Sequence, residues 1–126
     1  MRRFINNWLR GMLVVCIISS LSFAYTTIST SPVSGTLTAG TYYIQESIWV
    51  NTGTTLTLDA GVILKFAEGK QLNIQGTLDV NGSSGSKVYF TSMNDNSIGE
   101  TISGSTGNPQ PGDWIGAYIW PGPATF

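Results

Sequence analysis

The acidic side chains are the first residues of this chain that could do chemistry. Two carboxylates at a defined separation can hydrolyse a glycoside, one protonating the leaving oxygen and the other activating water. Asp59 follows a short apolar stretch and comes directly before Ala60 and Gly61, whereas Asp79 lies inside the next such stretch. The two offsets do not enforce a carboxylate pair. We therefore expect Asp59 to shape a turn and Asp79 to face solvent.

The lysines could support a second chemistry, proton abstraction in a polysaccharide lyase. That reaction needs a base of depressed pKa and a cation that neutralises the sugar carboxylate. Lys65 alternates with Leu64 and Phe66, which predicts a side chain facing outward on the surface, and Lys70 falls in a turn. No arginine occurs after Arg10. We interpret both lysines as solvated charges that discourage edge pairing.

A polar segment at residues 94–100 has the composition of a calcium loop, with several side-chain oxygens close together and a glycine. It lacks the ordered D-x-[DN]-x-[DN]-G spacing of an EF-hand. Asp95, Asn96 and Glu100 are the candidate Ca²⁺ ligands, and no other cofactor is indicated. The whole stretch 93–110 is predicted to be a long polar loop, the kind of excursion that often carries binding.

Three aromatic side chains are candidates for ligand binding. Trp49, Tyr43 and Tyr89 are each the central residue of a short apolar triplet, so they should point away from the core. Exposed aromatic faces can stack on sugar rings. The alternative is that these rings pack beneath an N-terminal cap or beneath the 93–110 loop.

The charge balance excludes some classes of partner. After residue 24 the chain has three lysines against seven carboxylates, with no arginine or histidine, which leaves a net charge of −4. A nucleic-acid-binding protein needs clustered Lys or Arg to displace counterions from phosphates, and none is present. Anionic lipid surfaces are disfavoured for the same reason.

Residues 1–24 have the pattern of a secretory signal peptide. A basic head with Arg2, Arg3 and Arg10 precedes an apolar stretch, and Ser22 and Ala24 are small residues at the positions a signal peptidase reads. The apolar run is short for a bilayer span, which takes about 20 residues, so we expect cleavage before Tyr25 and no membrane span thereafter. The alternative is a retained membrane anchor. The one cysteine, Cys16, lies in this segment, so the secreted chain would have no disulfide.

The elements that must position these residues return at a regular spacing. Seven short stretches place two apolar residues on one face of a strand: Tyr42/Ile44, Ile48/Val50, Leu56/Leu58, Leu64/Phe66, Leu72/Ile74, Leu78/Val80 and Val88/Phe90. Equivalent pairs recur after 22 to 24 residues. A repeat of this length predicts stacked units with ladders of equivalent side chains, in which Tyr42, Leu64 and Val88 lie over one another.

Residues 50–92 resemble secreted right-handed parallel β-helix proteins of the pectin-lyase-like superfamily. The stretches that carry the resemblance are 55–66, 72–82 and 88–92, and residues 111–116 resemble the lead into a further coil. The resemblance implies an all-β, right-handed, single-stranded parallel β-helix (a solenoid) of about three coils with an N-terminal cap. Such proteins usually continue for more coils, so we expect either that the chain is a truncated version of a longer protein or that something else covers its end.

This interpretation divides the chain into five segments: signal peptide 1–24, N-terminal cap 25–41, β-helix coils 42–92, polar loop 93–110, and the start of a truncated coil at 111–126. We expect an exported extracellular or cell-surface scaffold that binds a polysaccharide or another surface partner without catalysis. The alternative is the N-terminal part of a polysaccharide lyase or hydrolase whose active site lies in later coils. The sequence does not indicate an oligomeric state.

Overall fold

The computed structural model describes residues 24–120, and this part of the chain forms ten β-strands and no helix. The predicted signal peptide, apart from Ala24, and residues 121–126 lie outside it. The strands are β1 Tyr25–Ile28, β2 Gly35–Leu37, β3 Gly40–Ile44, β4 Ile48–Val50, β5 Thr55–Asp59, β6 Val62–Phe66, β7 Gln71–Ile74, β8 Thr77–Asn81, β9 Tyr89–Ser92 and β10 Gly116–Ile119. Within residues 24–120 no helix has the length and apolarity needed to cross a membrane.

The strands form three sheets in which every pairing is parallel. Their orders are β1-β3-β6-β9, β4-β7-β10 and β2-β5-β8. From β3 onward the chain visits the three sheets in a constant order, so each strand pairs with the third strand after it. The all-β class and the parallel pairing expected from the repeat are confirmed.

Ladders of equivalent apolar residues form the core between the sheets. Leu56 pairs with Leu78, Ile48 with Leu72, and Ile44 with Phe66, as the repeat predicts. These side chains belong to one buried cluster. Burying a side chain of this kind is worth about 1.5–3 kcal/mol, so the stacked ladders are the main source of stability in a fold without helices.

The predicted ladder of Tyr42, Leu64 and Val88 is wrong at its third member. Leu64 pairs with Phe90, so the spacing at this step is 26 residues. The extra length lies in the turn before β9, where Ser83 and Ser86 exchange two backbone hydrogen bonds of 3.0 and 3.3 Å. The step is two residues longer than predicted and four longer than the preceding step in this sheet, from Tyr42 to Leu64, and it shifts the register of β9.

The segment 25–41, interpreted from the sequence as a cap, contributes two strands of its own. β1 pairs with β3, and β2 pairs with β5, each in parallel register. The 93–110 segment contains no strand or helix. The chain then re-enters a sheet as β10, which pairs with β7.

Candidate functional site

Two tryptophans stack on the outer face of the β4-β7-β10 sheet. Trp49 is the middle residue of β4, between the buried Ile48 and Val50, so its indole points outward. Trp120 directly follows β10 and is held in place by a 3.0 Å hydrogen bond from its backbone N–H to the carbonyl of Ile74. The two ring systems lie 5.3 Å apart with an interplanar angle of 28°. Trp120 is 40% exposed, so the pair presents an aromatic surface to solvent.

A buried amide fixes the orientation of the Trp120 ring. Asn73 lies in β7 in register with Trp49 on one side and Tyr118 on the other, and it is only 1% exposed. Its Oδ1 accepts a 3.1 Å hydrogen bond from Trp120 Nε1 and a 2.5 Å hydrogen bond from Gln71 Nε2. Because a buried amide oxygen is costly to leave without a donor, these contacts hold the indole in one position.

We call Trp49, Asn73, Tyr118 and Trp120 the aromatic platform. Its aromatic residues are apolar over their ring faces and polar at their N–H or O–H groups. This combination suits a hydrated ligand that has both apolar faces and hydroxyl groups. Lys70, which directly precedes β7, and Glu46, which lies two residues before β4, form an ion pair of 2.8 Å. The platform can therefore stack and donate hydrogen bonds, and it offers no unpaired charge of its own.

The other two aromatic candidates do not join Trp49. Tyr43 and Tyr89 belong to the β1-β3-β6-β9 sheet. They are not in one ladder either, because Tyr43 pairs with Lys65 whereas Tyr89 pairs with Ile63. Tyr43 packs edge to face on Tyr25 with ring centroids 6.3 Å apart, and Tyr89 is 39% exposed.

Lys65 points away from the core, as predicted, but it does not reach solvent. It is fully buried, and its Nζ donates hydrogen bonds of 2.6 and 2.7 Å to the backbone carbonyls of Asp95 and Glu100. The reason is the 93–110 loop, which folds back over this sheet and hydrogen-bonds to it through Glu100 N and Thr41 Oγ1, 3.0 Å apart. Burial lowers the pKa of the Lys65 ammonium, and the charges of Asp95 and Glu100 oppose that shift.

Hydrogen bonds within the protein already engage the side-chain oxygens of two of the three predicted calcium ligands, Asp95 and Asn96. The Asp95 carboxylate accepts from Ser97 N, Ser97 Oγ and Thr91 Oγ1, at 2.9, 2.5 and 2.8 Å. These bonds, the Ser97 side chain first, lower the pKa of Asp95. Asn96 Oδ1 accepts from Ser105 Oγ at 2.7 Å.

Calcium takes six to eight oxygen ligands. Across residues 24–120 no group of three or more His, Cys, Asp or Glu side chains could hold a metal ion. At Lys65, the carbonyls of Asp95 and Glu100 converge on an ammonium group. The calcium site stays a prediction that these contacts do not favour.

Asp113 ties the two ends of the loop together, a role that the sequence did not reveal. Its Oδ2 accepts hydrogen bonds from Ser92 Oγ at 2.8 Å, Asn94 Nδ2 at 3.2 Å and Gln110 N at 3.0 Å. These bonds, with the Gln110 N–H first, lower the pKa of Asp113. A signal was present in the sequence, since Pro111, Gly112 and Asp113 form a typical turn, but the turn alone does not name its distant partners.

The two aspartates considered for hydrolysis lie on the β2-β5-β8 sheet. Asp59 ends β5 and is in register with Asn81, whereas Asp79 is in register with Thr57. The two carboxylates are therefore not opposite each other. Asp79 is exposed and accepts a 3.4 Å hydrogen bond from Asn81 Nδ2.

No protein-family model, curated protein or solved structure matches the chain. Function has to be argued from the chemistry of its surfaces. Among the surfaces of residues 24–120, the aromatic platform combines exposed rings, a fixed geometry and a polar partner for the ring nitrogen.

Proposed function

We propose that the chain is an exported extracellular or cell-surface scaffold, a right-handed parallel β-helix, that binds glycans on its aromatic platform and carries out no catalysis. The constant order in which the chain visits three parallel sheets supports the β-helix. Connections between parallel strands of one sheet are right-handed in about 98% of cases, which supports the handedness. The signal-peptide pattern of residues 1–24 supports export.

The observation that carries the binding proposal is the Trp49–Trp120 stack with its Asn73 hydrogen bond. An exposed indole costs free energy because apolar area stays in water, and a sugar ring can cover that area with its C–H face. Since the hydrogen bond to Asn73 fixes the ring, little conformational entropy is lost when the ligand binds.

Substitution of Trp120 tests the proposal. The full chain and the Trp120→Ala variant are compared on an immobilised glycan array, with circular dichroism to show that both are folded. We expect the variant to bind about tenfold more weakly, which corresponds to about 1.4 kcal/mol.

Tyr89→Ala is the matched control, since Tyr89 is as exposed as Trp120 but lies on a different sheet. It should bind like the unmodified chain. If Tyr89→Ala abolishes binding and Trp120→Ala does not, the binding face is the other sheet. If the folded chain retains no glycan, only a structural role remains.

Export has its own measurement. The N-terminus of the protein recovered outside the cells should be Tyr25, which follows Ser22, Phe23 and Ala24. A secreted product that still begins at Met1 would contradict cleavage.

A further inference from the structure

We propose that the aromatic platform selects neutral glycans and rejects anionic ones, an inference that rests on the proposed glycan binding. A sugar carboxylate or sulfate is recognised by a guanidinium or ammonium group that can pair with it. Recognition of an anionic sugar by this surface therefore depends on where the cations of the chain are and what they already contact.

Each lysine after the predicted signal peptide is engaged by the protein. The Lys65 ammonium is fully buried between the carbonyls of Asp95 and Glu100. Lys70 pairs with Glu46 at 2.8 Å. Lys87 lies on the turn before β9 and donates a 3.2 Å hydrogen bond to its neighbour Ser84, on a different part of the chain from the platform. Residues 24–120 contain no arginine.

The net negative charge of the chain produces a negative electrostatic potential, whereas a polyanion is attracted by a positive one. Seven carboxylates against three ammonium groups leave the chain beyond residue 24 at −4. A polyuronate brought to this surface loses its hydration and gains no ion pair, and it is repelled at distances within about 10 Å, the screening length at 0.1 M salt.

The groups that the platform does offer are those that neutral sugars use. The outer face carries the Trp120 ring at 40% exposure and the Tyr118 ring at 47% exposure. Tyr118 is in register with Asn73, so it belongs to the same cross-strand row as Asn73 and Trp49. Stacking and hydroxyl hydrogen bonds, both uncharged, are left as the means of recognition.

The experiment compares two hexasaccharides of equal length, a neutral β-1,4-glucan and a polygalacturonate, together with a mixed array of neutral and anionic glycans. Binding to the full chain is measured by calorimetry at 20 mM and at 300 mM NaCl. We expect the neutral glycans to bind at least tenfold more tightly than the anionic ones. The affinity for the neutral glycans should change less than twofold between the two salt concentrations, because these glycans form no ion pair with the protein.

Three results would count against the proposal in different ways. Tighter binding of anionic glycans that weakens with salt overturns the selectivity and leaves glycan binding intact. No binding to any glycan by the folded chain overturns the proposed function itself.

The third result concerns the Lys70→Gln variant, which removes the cation that directly precedes β7, the central strand of the sheet that carries the platform. We expect it to bind neutral glycans within twofold of the unmodified chain. A tenfold loss would show that charge carries the recognition, and it would overturn the inference.

Discussion

The ammonium nitrogen of Lys65 lies 2.6 Å from the backbone carbonyl oxygen of Asp95, although 30 residues separate them in the chain. The same nitrogen also donates to the carbonyl of Glu100 at 2.7 Å. One buried cation thus holds both sides of a bend in the 93–110 loop against the outer face of β6. The loop has no regular structure of its own, so this contact and the hydrogen bonds around Asp113 define where it lies.

Replacing Lys65 with methionine should release the loop. The variant keeps an unbranched side chain but leaves the carbonyls of Asp95 and Glu100 without their donor. Losing hydrogen bonds to a charged group costs about 2 kcal/mol, and chemical denaturation would measure that fall in the free energy of unfolding. Proteolysis inside 93–110 should accelerate. Lys87→Met is the matched control, because Lys87 is exposed and has one 3.2 Å contact; equal effects of the two substitutions would contradict the tether.

Shortening a central member of a ladder should cost more than shortening its end member. Leu58 is fully buried between Leu37 and Val80, whereas Val80 is 43% exposed. Leu58→Ala removes packed methyl groups and should lower the free energy of unfolding by about 2–5 kcal/mol. Val80→Ala should cost less than about 1 kcal/mol. Urea titrations of both variants test this, and similar losses at the two positions would argue against the stacked register.

As the pH falls, the 93–110 loop should lose its stability at a higher pH than the core strands do. Hydrogen bonds lower the folded-state pKa of Asp95 and Asp113 below the value of about 3.9 in the unfolded chain. The stability that these carboxylates contribute is therefore present above about pH 4 and is lost as the pH falls through their folded-state pKa values. The hydrogen-exchange protection factors of residues 93–110, measured at pH values from 6 to 2, would report this loss of stability.

The variant Asp113→Asn should already exchange faster at pH 6 and depend less on pH, because an amide cannot gain a charge. Asp79→Asn is the control, since the Asp79 carboxylate is exposed and has one 3.4 Å contact. A loop that stays protected at pH 2 would refute this account.

A methyl group at Gly76 should not be tolerated. The Cβ of an alanine there would overlap the backbone carbonyl oxygens of Asn51 and Thr54 in the preceding turn. Since backbone atoms cannot rotate away, Gly76→Ala should cost at least about 2 kcal/mol. Gly85→Ala, at a position with open space around it, should change stability by less than about 0.5 kcal/mol. Thermal unfolding of the two variants measures this difference. A stable Gly76→Ala variant would mean that the turn at Gly76 is not in close contact with the preceding turn at residues 51–54.

Much of the strand pairing was predictable from the sequence because the repeat is a local pattern. The recurrence of Ile48 as Leu72 and of Leu56 as Leu78 predicted the observed registers directly. The prediction failed at Val88, where the Ser83–Ser86 turn lengthens the repeat. Alternation of apolar residues determines which face a side chain takes, but it does not determine how many residues a turn will insert.

The site was less predictable because its contacts are non-local. Trp49 was recognised as outward-facing from its own triplet, but its partner Trp120 comes 71 residues later, after the long loop. Lys65 shows the same limit: period-2 alternation correctly turned it away from the core, and only the fold of the loop decides that it is buried.

The last strand described, β10, has an aromatic stack at each end, and the two stacks lie on opposite faces of its sheet. Before the strand, Trp114 lies on Phe66 at 4.5 Å and 9°; after it, Trp120 lies on Trp49 at 5.3 Å. Most of the strand between them is exposed, and among residues 24–120 it pairs with one strand, β7. Fraying from either end must therefore break a ring stack first, so its amide protons should exchange together, in a single cooperative opening. A sugar bound on Trp120 would slow that opening, so hydrogen-exchange protection of the β10 amides would report ligand occupancy.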